Sequence, residues 1–200
     1  MKEKNVFDQR QNLKRQRMKM YFLDAAKEMI ANEGIESVSV RKVAEVAGYS
    51  YATLYNYFED LNELLWEVKR VMINDLAAFM QKKIHHVSLD KEGVKRLFKI
   101  YCSFYFKNPH VFKFFYFHKL IQPSRKSEDR EVAPDFDRMM KETFKGFVTE
   151  GKLREMDLEV VGKTCIYAVH GMLVMLFCGN GDLTEESVYK ELDKMIDYLF

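Results

Sequence analysis

The sequence predicts an all-α protein: an N-terminal three-helix bundle containing a helix-turn-helix, then a larger helical domain, about nine helices in all. Three observations carry this. Apolar residues recur at three- and four-residue steps along nearly the whole chain. Pro (3) and Gly (9) are too few for the turns of an all-β sandwich or for a glycine-rich nucleotide fold. The 200 residues are 48% hydrophobic and 31% charged, enough apolar material for a sizeable core and too much for a disordered chain. Phe 16, Tyr 11 and Met 12 make that core aromatic and soft.

The elements follow in order. Met18, Phe22, Ala25, Ala26, Met29 and Ile30 mark one face of a helix over Gln11–Asn32, closed by Gly34 at a left-handed C-terminal position. Ser39 caps a short helix over Val40–Ala47, Gly48-Tyr49-Ser50 turns the chain, and Ser50 caps a second short helix over Tyr51–Phe58. Asp60 and Glu63 form a capping box that opens a helix from Leu61 to about His85. A helix over Lys91–Lys107 is broken by Asn108, and Pro109 starts the next, to Ile121. After a polar loop, Gln122–Arg130, come helices over Pro134–Glu150, Asp157–Cys178 and Thr184–Phe200. Domain boundaries are expected at 1–62 and 63–200.

Lys+Arg and Asp+Glu nearly balance, 32 against 30, but they are unevenly placed. Residues 1–20 carry Lys2, Lys4, Arg10, Lys14, Arg15, Arg17 and Lys19 against only Glu3 and Asp8, while the remainder is slightly acidic. Such a basic front end suits a polyanion, and equally a solvated tail. The widely spaced Cys102, Cys165 and Cys178 are no disulfide framework and fit a reducing cytoplasm. No signal peptide is read at the N-terminus. The most apolar run, Ile166–Cys178, is too short to span a bilayer and contains His170, so no membrane is expected. His85, His86, His110, His118 and His170 lack metal-ligand spacing, and no nucleophile motif or phosphate loop occurs, so no metal, no cofactor and no enzyme are expected.

The chemistry concentrates in Ser39–Phe58. Val43, Ala44 and Ala47 let two short helices cross closely, and Leu54 and Phe58 face inward. Tyr51, Ala52, Thr53, Tyr55, Asn56 and Tyr57 are left outward or sideways, where an ordinary surface carries Lys and Glu. Their hydroxyls suit phosphate oxygens, and the helix start at Ser50–Thr53 offers N–H groups to an anion.

Residues 11–65 resemble the DNA-binding domain of the TetR family of bacterial transcriptional regulators. The residues that carry the resemblance are Ala25-Ala26, Gly34, Ser39 through Ser50, Thr53 through Phe58 and Glu63-Leu64-Leu65. The resemblance implies a repressor that binds a near-palindromic double-stranded DNA operator as a homodimer and is released by a small effector. It implies that Arg41 reaches a base edge or a phosphate, and that Tyr51 and Ala52 face base edges, Ala52 beside a thymine methyl. It implies that Thr53, Tyr55 and Tyr57 hold phosphates and that Asn56 reads adenine or touches the backbone. One position departs: where the family has a Lys opening the next helix, this chain has Leu61, preceded by Glu59 and Asp60. Either the basic arm compensates or affinity is weaker; the N–H groups at Leu61 and Asn62 remain available to a phosphate.

The resemblance also implies that the last two helices pair across a twofold axis, with Gly171 allowing close approach. For the effector, apolar or aromatic in character, the candidate pocket residues are Phe98, Tyr101, Tyr105, Phe112, Phe115, Tyr116, Phe136, Met140, Phe144, Cys165 and His170; plain core packing is the competing reading of each. Two other classes remain, an all-helical small-molecule-binding enzyme and a protein-binding adaptor. Neither accounts for Ser39–Phe58.

Overall fold

The computed structural model describes residues 2–84, 88, 90–122, 154, 157–179 and 182–200. These form eight α-helices and no strand: α1 (Lys2–Glu33), α2 (Val40–Val46), α3 (Tyr51–Tyr55), α4 (Leu61–Ile84), α5 (Lys91–Lys107), α6 (Pro109–Phe117), α7 (Leu158–Cys178) and α8 (Glu185–Leu199). The predicted helix Pro134–Glu150, with Phe136, Met140 and Phe144, lies outside the described residues.

Four details differ from the sequence reading. Helix α1 begins at Lys2, not Gln11; the periodicity that marks a helix comes from a buried face, and residues 10–17 are exposed on all sides. Gly34 closes α1 with the positive φ of 91 that favours glycine, but its ψ of 170 lies outside the left-handed helical region, and a 3-10 turn not read from the sequence, Ile35–Ser37, follows. A side chain at Gly34 would also meet the His110 ring at 3.0 Å. Helix α3 stops at Tyr55, since the Tyr57 N–H turns back to the Leu54 carbonyl. Helix α6 stops at Phe117, and the Ile121 backbone is held instead by Asn62, whose amide exchanges two hydrogen bonds with it at 2.7 and 2.9 Å.

The chain divides into two compact units, Met1–Asn74 with His110–Glu131, and Asp75–Pro109 with Val132–Phe200. This division is drawn elsewhere than at residues 62 and 63: the start of α4 and most of α6 group with the first unit. The first unit is centred on Phe22, Ala26, Ile30, Val43, Leu54, Phe58, Leu64 and Val68, all but removed from solvent. Phe22 alone meets Tyr49, Tyr57 and Phe58, at 5.5, 5.9 and 6.4 Å between ring centroids. Lys69 donates to the Phe115 carbonyl at 2.9 Å, and burial lowers its pKa.

In the second unit, α5 packs on α8 and α7, and α7 on α8. Val94, Phe98, Tyr101, Cys102 and Tyr105 of α5 are buried with Val188, Leu192 and Ile196 of α8 and Cys165, Val169 and Leu173 of α7. Polar ties edge this core: Lys91 and Lys95 reach Asp197, Lys99 reaches Asp193, and Thr184 and Ser187 cap α8 reciprocally. Burial raises the Cys102 and Cys165 thiols to about 12 and about 11, whereas Cys178, at the end of α7, is exposed.

Helix α7 is longer than the apolar run Ile166–Cys178 on which the membrane expectation was based. At 21 residues and a mean hydropathy of 1.7, it is long and apolar enough to cross a membrane by length and composition. Its Gly162, Cys165, Val169 and Leu173 are nevertheless buried against its own unit, and Glu159, Lys163 and His170 interrupt it.

Candidate nucleic-acid interface

The helix-turn-helix is built by local rules. Ser39 accepts the Lys42 N–H and Ser50 accepts the Thr53 N–H at 3.2 Å, so each short helix starts on a serine cap. Gly48 supplies the turn with φ 78, a conformation that side chains resist. The Tyr49 N–H then closes on the Ala44 carbonyl at 2.8 Å. Ala44 is 1% exposed and Leu54 fully buried, and these small and apolar contacts lock α3 on α2.

The outward face of α3 is as the sequence reading has it, in part. Tyr51 and Tyr55 are 55% and 50% exposed, and Ala52 and Asn56 are exposed. Thr53 is half-buried; its hydroxyl lies 2.9 Å from Ser50 Oγ, so the Thr53 N–H is capped from within and is not open to an anion. Tyr57 is half-buried, its ring set between Phe22 and the Arg15 guanidinium, which lies 5.4 Å from the centroid. Leu61, at the first position of α4, is half-buried. Glu63 Oε2 accepts the Glu59 N–H, one residue before the capping position read from the sequence, while Asp60 caps Glu63 at 2.7 Å.

Three cations lie over aromatic rings of this segment. Arg41 is exposed and lies 5.9 Å over the Tyr51 ring. Arg15 donates to the Asn56 carbonyl at 3.3 Å. Lys19 pairs with the nearly buried Glu67 at 2.6 Å and sits 5.1 Å over Phe58. Sequence reasoning missed Tyr49, which is 37% exposed in the turn and packs on Tyr21 and Phe22. Its only signal was its place between Gly48 and Ser50.

The candidate pocket residues divide between the units. Phe112, Phe115 and Tyr116 belong to the first, where Phe112 and Phe115 are buried and Tyr116 is 45% exposed. Phe98, Tyr101, Tyr105, Cys165 and His170 belong to the second. There the Tyr101 hydroxyl and His170 Nε2 share a hydrogen bond of 2.6 Å, and burial lowers the His170 pKa, favouring the neutral ring. The second unit also has an open cavity of about 450 Å³ on its basic edge, lined by Lys83, Glu92, Lys95, Arg96, Lys99, Ile100 and Ser103 and by none of those candidates.

Residues 22–68 match the sequence profile of the bacterial regulatory proteins of the tetR family. No curated protein matches the chain. Among solved structures, a protein of unknown function from Rhodococcus sp. RHA1 aligns at TM-score 0.72 and 18% identity, over 90% of this chain and 94% of that one. The fatty acid degradation regulator FadR from Bacillus halodurans aligns at TM-score 0.65 and 15% identity, over 90% and 94%. FadR from Bacillus subtilis in complex with stearoyl-CoA aligns at 0.65 and 16%, over 88% and 96%.

Proposed function

We propose that this chain, which belongs to the tetR family of bacterial regulatory proteins by its residues 22–68, represses transcription in the cytoplasm as a homodimer on a near-palindromic operator and leaves the DNA when a small, largely apolar effector binds within residues 63–200. Regulators of this family bind DNA and are not enzymes. The observation that carries the reading is α3: a capped helix standing out of a helix-turn-helix with Tyr51, Ala52, Tyr55 and Asn56 exposed beside Arg41. In this assignment Tyr51 and Ala52 read base edges, and Arg41 reaches a base edge or a phosphate. Ser50, Thr53, Tyr55, Tyr57 and the backbone at Leu61 hold phosphates, and Asn56 touches either.

Two recognition helices meet successive major grooves about 34–36 Å apart only if a twofold axis relates them. Helix α7 supports such pairing. Val160 and Tyr167 are 66% and 67% exposed, Met175 is 48% exposed, and all three lie on one side with Gly171, where a Cβ would meet nothing within 4 Å. A second copy of α7 and α8 would cover that stripe. For the effector, Phe98, Tyr105 and Cys165 give apolar surroundings and the Tyr101–His170 pair one polar anchor. Coupling of about 1–3 kcal/mol between effector and operator would change DNA affinity about 5–150-fold, and DNA would weaken the effector by the same factor.

Selection of duplexes from a random pool by the full-length protein tests this. A near-palindromic consensus is expected; enrichment of no duplex refutes the reading. On the selected site, Tyr55→Phe should weaken binding alike on all sequences, and Tyr51→Ala should change which bases are preferred. Stearoyl-CoA is the first effector probe, and binding of probe and DNA that proves independent refutes the coupling.

A further inference from the structure

Residues 10–17 of α1 have no core to fold against. Residues 10–17 are exposed on every side of the helix, and α1 joins the first unit's core only from Phe22 onward, with Met18 and Lys19 half-buried at the approach. In Arg10-Gln-Asn-Leu-Lys-Arg-Gln-Arg17, Leu13 is the one apolar residue and there is no acidic one. A stretch that is polar all round and tied to the unit through Arg15 is a marginal helix in water, and it lacks the apolar stripe by which a helix lies on a membrane.

Helical spacing sorts its cations onto two sides. Arg15 turns to the recognition segment, donating to the Asn56 carbonyl and covering the Tyr57 ring. Arg10, Lys14 and Arg17, at steps of four and three, form a separate row. That row rises about 10 Å, the length of about three base pairs.

We propose that this row is a second DNA contact, which rests on the DNA-binding reading above: Arg10, Lys14 and Arg17 lie along the phosphate backbone flanking the recognition helix, with Arg15 pinning the extension to the end of α3. The partner is the sugar-phosphate backbone of duplex DNA, recognised by charge and spacing and not by sequence. The row supplies the positive charge that Leu61 does not.

The test is the salt dependence of binding by the full-length triple variant Arg10→Gln, Lys14→Gln, Arg17→Gln, on the duplex selected by the wild type. These side chains are exposed, so the thermal midpoint should not move. Fluorescence anisotropy at about 50–300 mM KCl should show the slope of log affinity against log salt flatter by about 0.9 for each phosphate that the variant no longer neutralises. At about 0.15 M salt, affinity should fall at least about tenfold. An unchanged slope and affinity overturn the proposal while leaving the helix-turn-helix reading intact, whereas a wild type that selects no duplex sinks that reading first. Wild-type protein that sediments with phosphatidylserine vesicles, with a DNA slope that the triple variant leaves unchanged, would reassign the helix to a membrane surface and overturn the proposal as well.

Discussion

The Lys19–Glu67 pair ties α1 to α4 beneath the recognition segment, and its removal one side at a time gives a measurable prediction. The side chains are 25% and 11% exposed, so neither charge is fully hydrated and neither is fully dry. Breaking a buried pair by removing one member costs about 3–5 kcal/mol, because the other charge is left stranded. The residual exposure of Lys19 discounts this to about 2–3 kcal/mol. Lys19→Met keeps an unbranched side chain and deletes the ammonium, with both its ion pair and its place 5.1 Å over the Phe58 ring. Trp66, the sole tryptophan, neighbours Glu67 in the first unit, so its fluorescence follows this unit without a label. In urea, with a slope of about 1.5 kcal/mol/M, the midpoint should drop by about 1.3–2 M. Lys19→Met with Glu67→Leu should recover most of the loss, giving a coupling energy above about 1 kcal/mol. A single Lys19→Met variant within about 0.5 kcal/mol of wild type would refute the claim that this carboxylate depends on its partner.

Three further outcomes are expected. Ser50→Ala removes the cap of the five-residue α3 and should cost about 0.5–2 kcal/mol by the same fluorescence, with weaker DNA binding. Burial lowers the His170 pKa below 6.5, so the unfolded chain takes up a proton first as pH falls; stability should decline below about pH 6.5 and level off above it, and His170→Gln should flatten that part of a thermal-midpoint profile. Tyr167→Arg puts a charge on the exposed stripe of α7 and should reduce the mass seen in light scattering from twice 23.8 kDa to once, with loss of operator affinity.

Much of the helix order was legible because this chain punctuates its helices with capping residues. Ser39, Ser50 and Asp60 each stand at a helix start, and each makes the hydrogen bond that its position requires. What was misread lacked a local signal. Residues 10–17 of α1 are exposed on all sides, so they show no apolar period by which the helix could be followed back to its start. The retreat of α6 from Ile121 depends on Asn62, 59 residues away. The same limit applies at the interface: the outward tyrosines of α3 were visible as an unusual surface composition, but the partners that orient Tyr57 and Tyr51, Arg15 and Arg41, come from other helices. The inward turn of Tyr57 could not be read from its own segment, where it looks like its exposed neighbour Tyr55.

The three cysteines differ in a way that an experimenter can use without altering the chain. Two thiols are sealed in the second unit with their ionisation suppressed, so a maleimide reagent at neutral pH finds Cys178 alone. A nitroxide fixed there rides the end of the most apolar helix. Paired labels would then report by dipolar spectroscopy how far apart two such helix ends stand, and whether that separation changes when an operator or an acyl probe is added.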